Sequence, residues 1–400
     1  MEKKVIYLDN NATTKVDEDV LEEILPYFSE YYGNPSSMHD FGGQVHSKIV
    51  QARESVKELI GARDSKEIIF TAGGTESANT AIRGVLECNK HKKHIITTKV
   101  EHPCVLGLYK LLEKQGYKVD YINVNAMGEL ELSEVENMVT EDTALVSCMA
   151  ANNETGVIFP YEKLAEIVKG KNAETKVFID AVQAAGKIPI DVKSTCIDLM
   201  GISGHKFHAP KGVGALYVKS GTMFTPLLIG GHQERSKRAG TENVPGIIGI
   251  GKAAEKALSS LEYELKEVKR LRDKLESGVL NTIYNARLNT SVSNRVPNTT
   301  NIGFEYIEGE LILLHLSDIG ICASSGSACT SGSLEPSHVL RAMGIPFTAL
   351  HGSIRFSLSK YTTEEEVDYT IKSLPKIIEK LNVISPFQKE LKELKRLKSV

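Results

Sequence analysis

Two residues that suit chemistry on a cofactor follow apolar, strand-like segments. Lys206 comes after the apolar run 197–202 and is flanked by small residues, which leaves room beside it for a cofactor that carries an aldehyde. A lysine becomes a nucleophile when burial lowers its pKa. Asp180 ends the apolar run 176–179, and a buried carboxylate needs a cationic partner such as the protonated nitrogen of a pyridine ring. A solvated lysine and a helix-capping or ion-paired aspartate are the ordinary alternatives.

Further polar residues stand at similar positions. Gln183 follows Asp180 closely, so its amide could reach the phenolate oxygen of the same ring. The Gly-Gly turn within 71–77 precedes a helical segment, whose free N–H groups and positive dipole end favour a phosphate group. This turn lacks the spacing of a nucleotide P-loop or a dinucleotide fold. His102 follows another strand end, where an imidazole could stack on a flat ring and move protons near neutral pH. A plain turn and a solvated histidine are the alternatives.

The third kind of reactive group is the thiol of Cys329, which stands in a run of small residues over 323–333. We expect this loop to be mobile and exposed, and an ordinary thiol pKa of about 8.5 leaves a minor thiolate fraction at neutral pH. An incidental cysteine in a surface loop is the alternative. The six cysteines are sparse and form no C-x-x-C pair. The sequence therefore predicts neither a disulfide scaffold nor a zinc site, but a reducing cytoplasm where a thiol can serve as a reagent.

Strand-like and helix-like segments alternate over 66–218 and would position these residues. Strands are predicted at 66–71, 94–98, 119–124, 144–150, 176–180 and 198–202, with helices at 75–89 and 103–115. This alternation predicts an α/β fold, a mostly parallel sheet with helices on both faces. Ligands of such sheets bind at the carboxyl ends of the strands, where the candidate residues stand.

The pattern changes after residue 246. A long helix over 247–280 is predicted to link two domains, followed by strands at 300–304 and 353–358 and helices at 309–317 and 364–381. We expect a large cofactor-binding domain at 15–255, a smaller α+β domain from 1–14 and 256–385, and a tail at 386–400. A frayed, solvated helix is favoured for the tail over a partner-binding helix.

Composition narrows the classes of function. The chain has 400 residues, of which 41% are hydrophobic, enough for a core that holds a deep cofactor pocket. Its formal net charge of -3 gives no reason to expect nucleic acid or an anionic membrane as a partner. No apolar stretch approaches the roughly 18–20 residues of a membrane span, and the N-terminus does not resemble a signal peptide. A cytoplasmic enzyme without metal is predicted.

Together these segments resemble the NifS/IscS-type cysteine desulfurases of the aminotransferase class V family. The similarity runs from 7–14 to 355–358 and beyond, and 10–14, 32–37 and 238–241 are each similar to the family in the expected order. The resemblance implies pyridoxal 5'-phosphate as cofactor and removal of sulfur from L-cysteine, which leaves L-alanine and a persulfide on Cys329. The long loop around Cys329 resembles the group of desulfurases that hands sulfur to acceptors directly.

The resemblance implies roles around the cofactor ring. Lys206 would bind the aldehyde covalently and shuttle protons. Asp180 would hold the pyridine nitrogen, and Gln183 the phenolate oxygen. His102 would stack on the ring, and Asn153 would touch the cofactor.

The resemblance also implies which residues bind the phosphate group of the cofactor and the substrate. The residues that would bind the phosphate within one chain are Gly74, Thr75, Ser203 and His205. Thr241 would reach the phosphate of the neighbouring subunit's cofactor, which implies a homodimer with shared active sites. Asn34 and Arg355 would hold the substrate carboxylate, for which a guanidinium has suitable fork geometry.

Two departures and three alternatives accompany the resemblance. Ala209 stands where glycine is expected, which is tolerated if that residue needs no positive φ. The tail after Pro386 does not resemble the segment with which some relatives grip an iron–sulfur scaffold, so the acceptor stays open between that scaffold, tRNA thiolation and other pathways. A selenocysteine lyase or a class V aminotransferase would keep Lys206 and Asp180 without needing Cys329. A binding protein that serves as an assembly platform is the alternative from another class.

Overall fold

The computed structural model describes residues 4–325 and 336–398. The strands in these residues are β1 (Ile6–Tyr7), β2 (Ile68–Thr71), β3 (His94–Thr98), β4 (Lys118–Ile122), β5 (Thr143–Met149), β6 (Lys176–Asp180), β7 (Leu199–Ser203), β8 (Gly214–Val218), β9 (Ala286–Leu288), β10 (Thr299–Phe304), β11 (Ile321–Cys322) and β12 (Ser353–Ser357). The α-helices are α1 (Glu18–Ile24), α2 (Pro26–Ser29), α3 (Asp40–Leu59), α4 (Gly74–Cys88), α5 (Pro103–Lys114), α6 (Val135–Met138), α7 (Tyr161–Lys171), α8 (Gln233–Ser236), α9 (Val244–Ser259), α10 (Leu261–Tyr263), α11 (Lys269–Thr282), α12 (Gly309–Asp318), α13 (His338–Ala342), α14 (Phe347–Leu350), α15 (Glu364–Ile384) and α16 (Gln388–Leu397).

The central sheet has seven strands in the order β2-β8-β7-β6-β5-β3-β4. The neighbours from β7 to β4 are all parallel, whereas β8 runs antiparallel to both β2 and β7. The predicted mostly parallel α/β sheet is therefore confirmed. The sequence did not predict β8, whose insertion makes β2 parallel to β7 and brings the carboxyl end of β2 to the same edge as the others.

Helices cover both faces of this sheet, as predicted. Ile95 packs in a core with α4 and α5, whereas the next residue, Ile96, packs in a core with α3, α7 and α9. Leu145 and Val146 divide between the two cores in the same way. Successive side chains of a strand point to opposite faces, so apolar residues at consecutive positions require cover on both sides.

A separate hydrophobic core confirms the smaller α+β part of the fold. It joins Ile6 and Leu8 of the N-terminal segment to α11, α12 and α15. Strands β9, β10 and β12 form an antiparallel sheet against it, and β1 pairs with β11 in parallel. The chain thus returns its first residues to a core that is otherwise built more than two hundred residues later.

The predicted long helical stretch over 247–280 is present, but it is not one regular helix. Helix α9 ends at Ser259, and α11 begins only after a π-helical segment at Glu264–Val268. The π-helical turn contains Glu264, which is buried, so a tertiary environment overrides the local preference for regular helix. None of the described helices is both long and apolar enough to cross a membrane.

The tail forms the expected helix but is not frayed against solvent. Leu391 of α16 is only 3% exposed, packed beside α15. The side-chain amide of Gln388 donates to the carbonyl oxygens of Val383 and Ser385 at 3.0 and 2.9 Å, which caps the end of α15. An apolar contact and capping bonds therefore hold the tail to the smaller part of the fold.

Candidate active site

A cavity of about 330 Å³ opens at the carboxyl edge of the central sheet. Its lining includes most of the predicted site residues, namely Gly74, Thr75, His102, Asn153, Asp180, Gln183, Ser203, His205, Lys206 and Arg355. Asp180 and Ser203 are the last residues of β6 and β7, and α4 begins directly after β2. The prediction that successive strand ends bring these residues to one place is confirmed.

Lys206 lies in a short 3₁₀ turn, Gly204–Lys206, that follows β7. Its Nζ donates to the carbonyl oxygens of Asn11 and Ala12 at 2.6 and 2.8 Å. The N-terminal segment therefore fixes the ammonium at the cavity wall. His208 has a φ of 71°, and Ala209 is not among the residues with positive φ, so alanine is tolerated there as expected.

Asp180 is a buried carboxylate with a raised pKa. It is 5% exposed, and its Oδ1 accepts the backbone N–H of Val182 at 3.0 Å. Burial raises its pKa to about 6, while the bond from Val182 and the charge of Lys206 oppose the rise. A carboxylate held this way at a cavity wall would be stabilised by a cation inside the cavity. The protonated ring nitrogen of pyridoxal phosphate fits that requirement.

The turn between β2 and α4 suits a phosphate group. Gly73 has a φ of 151°, and a Cβ at Gly214 of the adjacent strand would lie 2.7 Å from its Cα. The chain therefore needs glycine here to bring α4 close to the sheet. Gly74 and Thr75, the first residues of α4, line the cavity. Asp180 is the one acidic residue among the described residues of this lining. This arrangement favours an anion.

His102 is neutral at physiological pH. It caps α5, where its Nδ1 accepts the backbone N–H of Cys104 at 3.2 Å. Burial lowers its pKa to about 4, and the charges of Lys206 and His338 act in the same direction. The proton of the neutral ring then lies on Nε2. The imidazole can stack on a ring or exchange a proton as a neutral base, but it does not carry a charge.

Arg355 of β12 brings a guanidinium to the cavity from the smaller part of the fold. It is 2% exposed, and it donates to Asp9 Oδ1 at 2.7 Å and to the carbonyl oxygen of Asn153 at 2.9 Å. Its Nε is a buried donor that has no hydrogen-bond partner within 4–325 and 336–398. A guanidinium in the wall of a cavity suits recognition of a carboxylate.

Two predicted residues, Asn34 and Thr241, are not in the lining of this cavity, and a third is not among the described residues. Asn34 is exposed, and its Oδ1 accepts the backbone N–H of Ser36 at 2.9 Å. Thr241 is also exposed, after Arg238, whose guanidinium pairs with Glu76 at 3.0 Å. Cys329 lies outside the described residues. The roles of these three residues stay predictions.

Sequence reasoning missed several residues of the lining, which are Asn11, Ala12, Cys104, Met149 and Val182. Asn11 is the most connected, because its side-chain amide donates to Asn153 O and Thr299 Oγ1 at 3.2 and 2.9 Å. In the sequence, Asn10 and Asn11 belong to a segment that resembles the family, but nothing there indicated a role for Asn11. A polar pair next to a short strand gives no indication of its distant partners.

Comparison with known proteins places the chain in a family. The family model described as aminotransferase class-V matches residues 6–370. A cysteine desulfurase from Nostoc sp. is 60% identical over 387 residues, 96% of each chain. The cysteine desulfurase NifS of Azotobacter vinelandii is 54% identical and covers 96% of this chain and 94% of its own. A solved NifS-like protein, 44% identical, has a TM-score of 0.89 and covers 94% of this chain and 100% of its own. Such proteins use pyridoxal phosphate. The chain belongs to the class-V aminotransferase family, among its cysteine desulfurases.

Proposed function

We propose that this cysteine desulfurase transfers the sulfur of L-cysteine to its own Cys329, which carries the sulfur as a persulfide. The observation that carries the proposal is the shared cavity of Lys206 and Asp180, a fixed amine and a buried carboxylate at neighbouring strand ends. The other residues of the lining are proposed to bind the cofactor and the substrate around this pair.

Lys206, Asp180 and Gln183 would hold the reactive part of pyridoxal phosphate. When bound, this cofactor supplies an electron-withdrawing ring that stabilises negative charge on the α-carbon of an amino acid. Asp180 would keep the ring nitrogen protonated, which its own burial favours because the paired charges stabilise each other. Lys206 would hold the aldehyde carbon and afterwards move the α-proton, and Gln183 would donate to the phenolate oxygen.

The remaining residues of the lining would orient the cofactor. His102 would stack on the ring as a neutral imidazole, and Asn153, also in the lining, would contact the cofactor. The groups proposed to bind the phosphate are those of Gly74, Thr75, Ser203 and His205. Burial lowers the pKa of His205 to about 4, so this residue would act as a neutral donor.

Arg355 and Asn34 would bind the substrate carboxylate. The position of Arg355 in the lining of the cavity supports this role for the arginine. In the transfer itself, the Cys329 thiolate forms a bond to the substrate sulfur while the carbon–sulfur bond of the substrate breaks. The electron pair stays on the substrate, whose β-carbon takes up a proton, and Lys206 would return the α-proton to complete L-alanine.

We also propose a homodimer in which Thr241 reaches the partner subunit's phosphate. Exposed apolar side chains in the segment before Thr241 support a second copy as the occupant of this surface, since Met223 is 71% and Ile229 86% exposed. The sulfur acceptor would be an iron–sulfur scaffold or another acceptor protein. We propose a cytoplasmic location, which suits the free thiols of all described cysteines.

The two parts of the fold are proposed as domains with the boundaries expected from sequence, 15–255 for the large domain and 1–14 with 256–385 for the small one. The separate core that joins Ile6 and Leu8 to the helices after residue 268 supports this division.

Alanine and persulfide formation from L-cysteine test the proposal. In Cys329→Ala, protein-bound persulfide and transfer to an acceptor should be lost, whereas Cys196→Ala, which changes a cysteine on the surface of the described structure, should transfer sulfur normally. Full persulfide transfer by Cys329→Ala would contradict the role of this thiol. Such a result together with normal use of selenocysteine would favour a selenocysteine lyase instead.

A further inference from the structure

A buried lysine lies directly behind the cavity. Lys187 is 5% exposed, and its Nζ donates to Gln183 Oε1 at 2.8 Å and to Asn11 Oδ1 at 3.2 Å. An ammonium group can only donate hydrogen bonds, so it selects the carbonyl oxygen of each side-chain amide. Lys187 therefore fixes which end of the Gln183 amide carries the N–H groups.

The fixed amide belongs to a chain of hydrogen bonds that reaches Lys206. Gln183 Nε2 donates to the backbone carbonyl of Asn11 at 3.0 Å, and the same carbonyl accepts Lys206 Nζ at 2.6 Å. Gln183, Asn11 and Lys206 all line the cofactor cavity. Lys187 is not part of the lining, but it donates hydrogen bonds to two residues that are, Gln183 and Asn11.

Lys187 faces a second, smaller cavity of about 20 Å³, which it shares with Glu264. Glu264 is 6% exposed and begins the π-helical segment that interrupts the long helix. Such turns within α-helices are frequent at functional sites. The other titratable groups in the lining of this cavity are Asp17, Lys206, His208, Lys256 and Lys360.

The pKa values of the Lys187 ammonium and the Glu264 carboxyl both lie near neutral pH. Burial lowers the pKa of Lys187 to about 7; the charges of Lys206 and Arg355 act in the same direction, and Glu264 opposes them. Burial raises the pKa of Glu264 to about 7, with Lys187 and Lys360 opposing the rise. Each group therefore favours the charged form of the other.

We propose that Lys187 is a positioning residue of the desulfurase site, whose ammonium orients the Gln183 amide toward the cofactor, and that Glu264 keeps this ammonium protonated. The inference rests on the proposed role of Gln183. Because a cation close to the cofactor disfavours an additional proton there, Lys187 lowers the pH at which the bound cofactor titrates. Glu264 acts on the cofactor only through the charge of Lys187.

The test follows the absorbance of bound pyridoxal phosphate in full-length holoenzyme between about pH 5 and 9, which spans the pKa values of about 7 of both groups. Lys187→Met keeps the length of the side chain and removes the charge, so the midpoint should rise by about one pH unit or more. Glu264→Gln should have a midpoint between those of wild type and Lys187→Met, because Lys187 then keeps its charge over a narrower range of pH.

Lys187→Gln separates charge from hydrogen bonding, because its amide can donate without a charge. It should stay close to Lys187→Met if the charge matters, and a wild-type midpoint in Lys187→Gln would overturn the role of Glu264. An unchanged midpoint in Lys187→Met would overturn the whole inference. Thermal unfolding of each cofactor-free variant verifies the fold. A wild-type protein that takes up no cofactor would instead contradict the proposed function.

Discussion

Replacing Asp180 by asparagine should have opposite effects on the cofactor-free and cofactor-bound protein. The carboxylate is buried at the end of β6, and its neighbours only partly offset the cost of burial. In the cofactor-free protein, Asp180→Asn removes this cost while it keeps the shape of the side chain. In the holoenzyme, the same change removes the partner of the cationic ring nitrogen.

The size of the effect follows from the pKa of Asp180, which rises from 3.8 to about 6 on folding. About two units correspond to roughly 3 kcal/mol at about 1.4 kcal/mol per unit. Because the folded state binds the proton more tightly than the unfolded state, the penalty is absent below the unfolded pKa. It grows as the pH rises through the interval between the two pKa values and is complete above the folded one.

Thermal or denaturant unfolding of the cofactor-free protein measures this difference. Asp180→Asn should be more stable than wild type at neutral pH by up to about 3 kcal/mol, and the advantage should vanish toward about pH 4. Asp198→Asn is the matched control, since Asp198 is equally buried in the neighbouring segment but pairs with Lys169 at 2.7 Å, so the change should destabilise.

The cofactor-bound measurement completes the test. Added pyridoxal phosphate should raise the melting temperature of wild type more than that of Asp180→Asn, because binding energy adds to stability. The reasoning is refuted if Asp180→Asn lowers the stability of the cofactor-free protein at neutral pH, or if it retains the cofactor as firmly as wild type does.

Four other changes test the site and the fold. Lys206→Ala should abolish alanine formation from cysteine while the circular dichroism spectrum stays that of wild type; retained turnover would place the essential amine elsewhere. Lys360 and Tyr361 hold the pKa of Asp17 well below its usual range, so the stability from these contacts should fall as the pH drops below about 4, and Asp17→Asn should flatten the acid limb of the unfolding curve. Glu234→Gln should cost about 3–5 kcal/mol in urea unfolding, because it leaves Arg53, now paired at 2.6 Å, without a buried counter-charge. Leu391→Ala should cost about 2–5 kcal/mol if α16 unfolds with the domain, and a neutral result would show an independent tail.

The strand ends illustrate what local sequence could predict. Three features each involve only a few adjacent residues: an apolar run that ends in Asp180, an apolar run followed by Lys206, and a Gly-Gly turn before a helix. The physics of parallel sheets then requires these ends to meet at one edge, so the place of the cavity and part of its lining followed from the residues alone. The resemblance to a known family added the identity of the cofactor and of the substrate.

The hydrogen-bond partners at the site depended on the tertiary structure. Lys206 donates to Asn11, from which it is separated by 195 residues, and Lys187 donates to Asn11 and lines the same small cavity as Glu264. The break at Glu264–Val268 and the antiparallel β8 have the same origin, since each depends on what a residue packs against. Sequence determined which chemical groups this protein has at its strand ends. Only the folded chain decided which of them are buried, paired and shifted in pKa, because burial and charge act through space rather than along the chain.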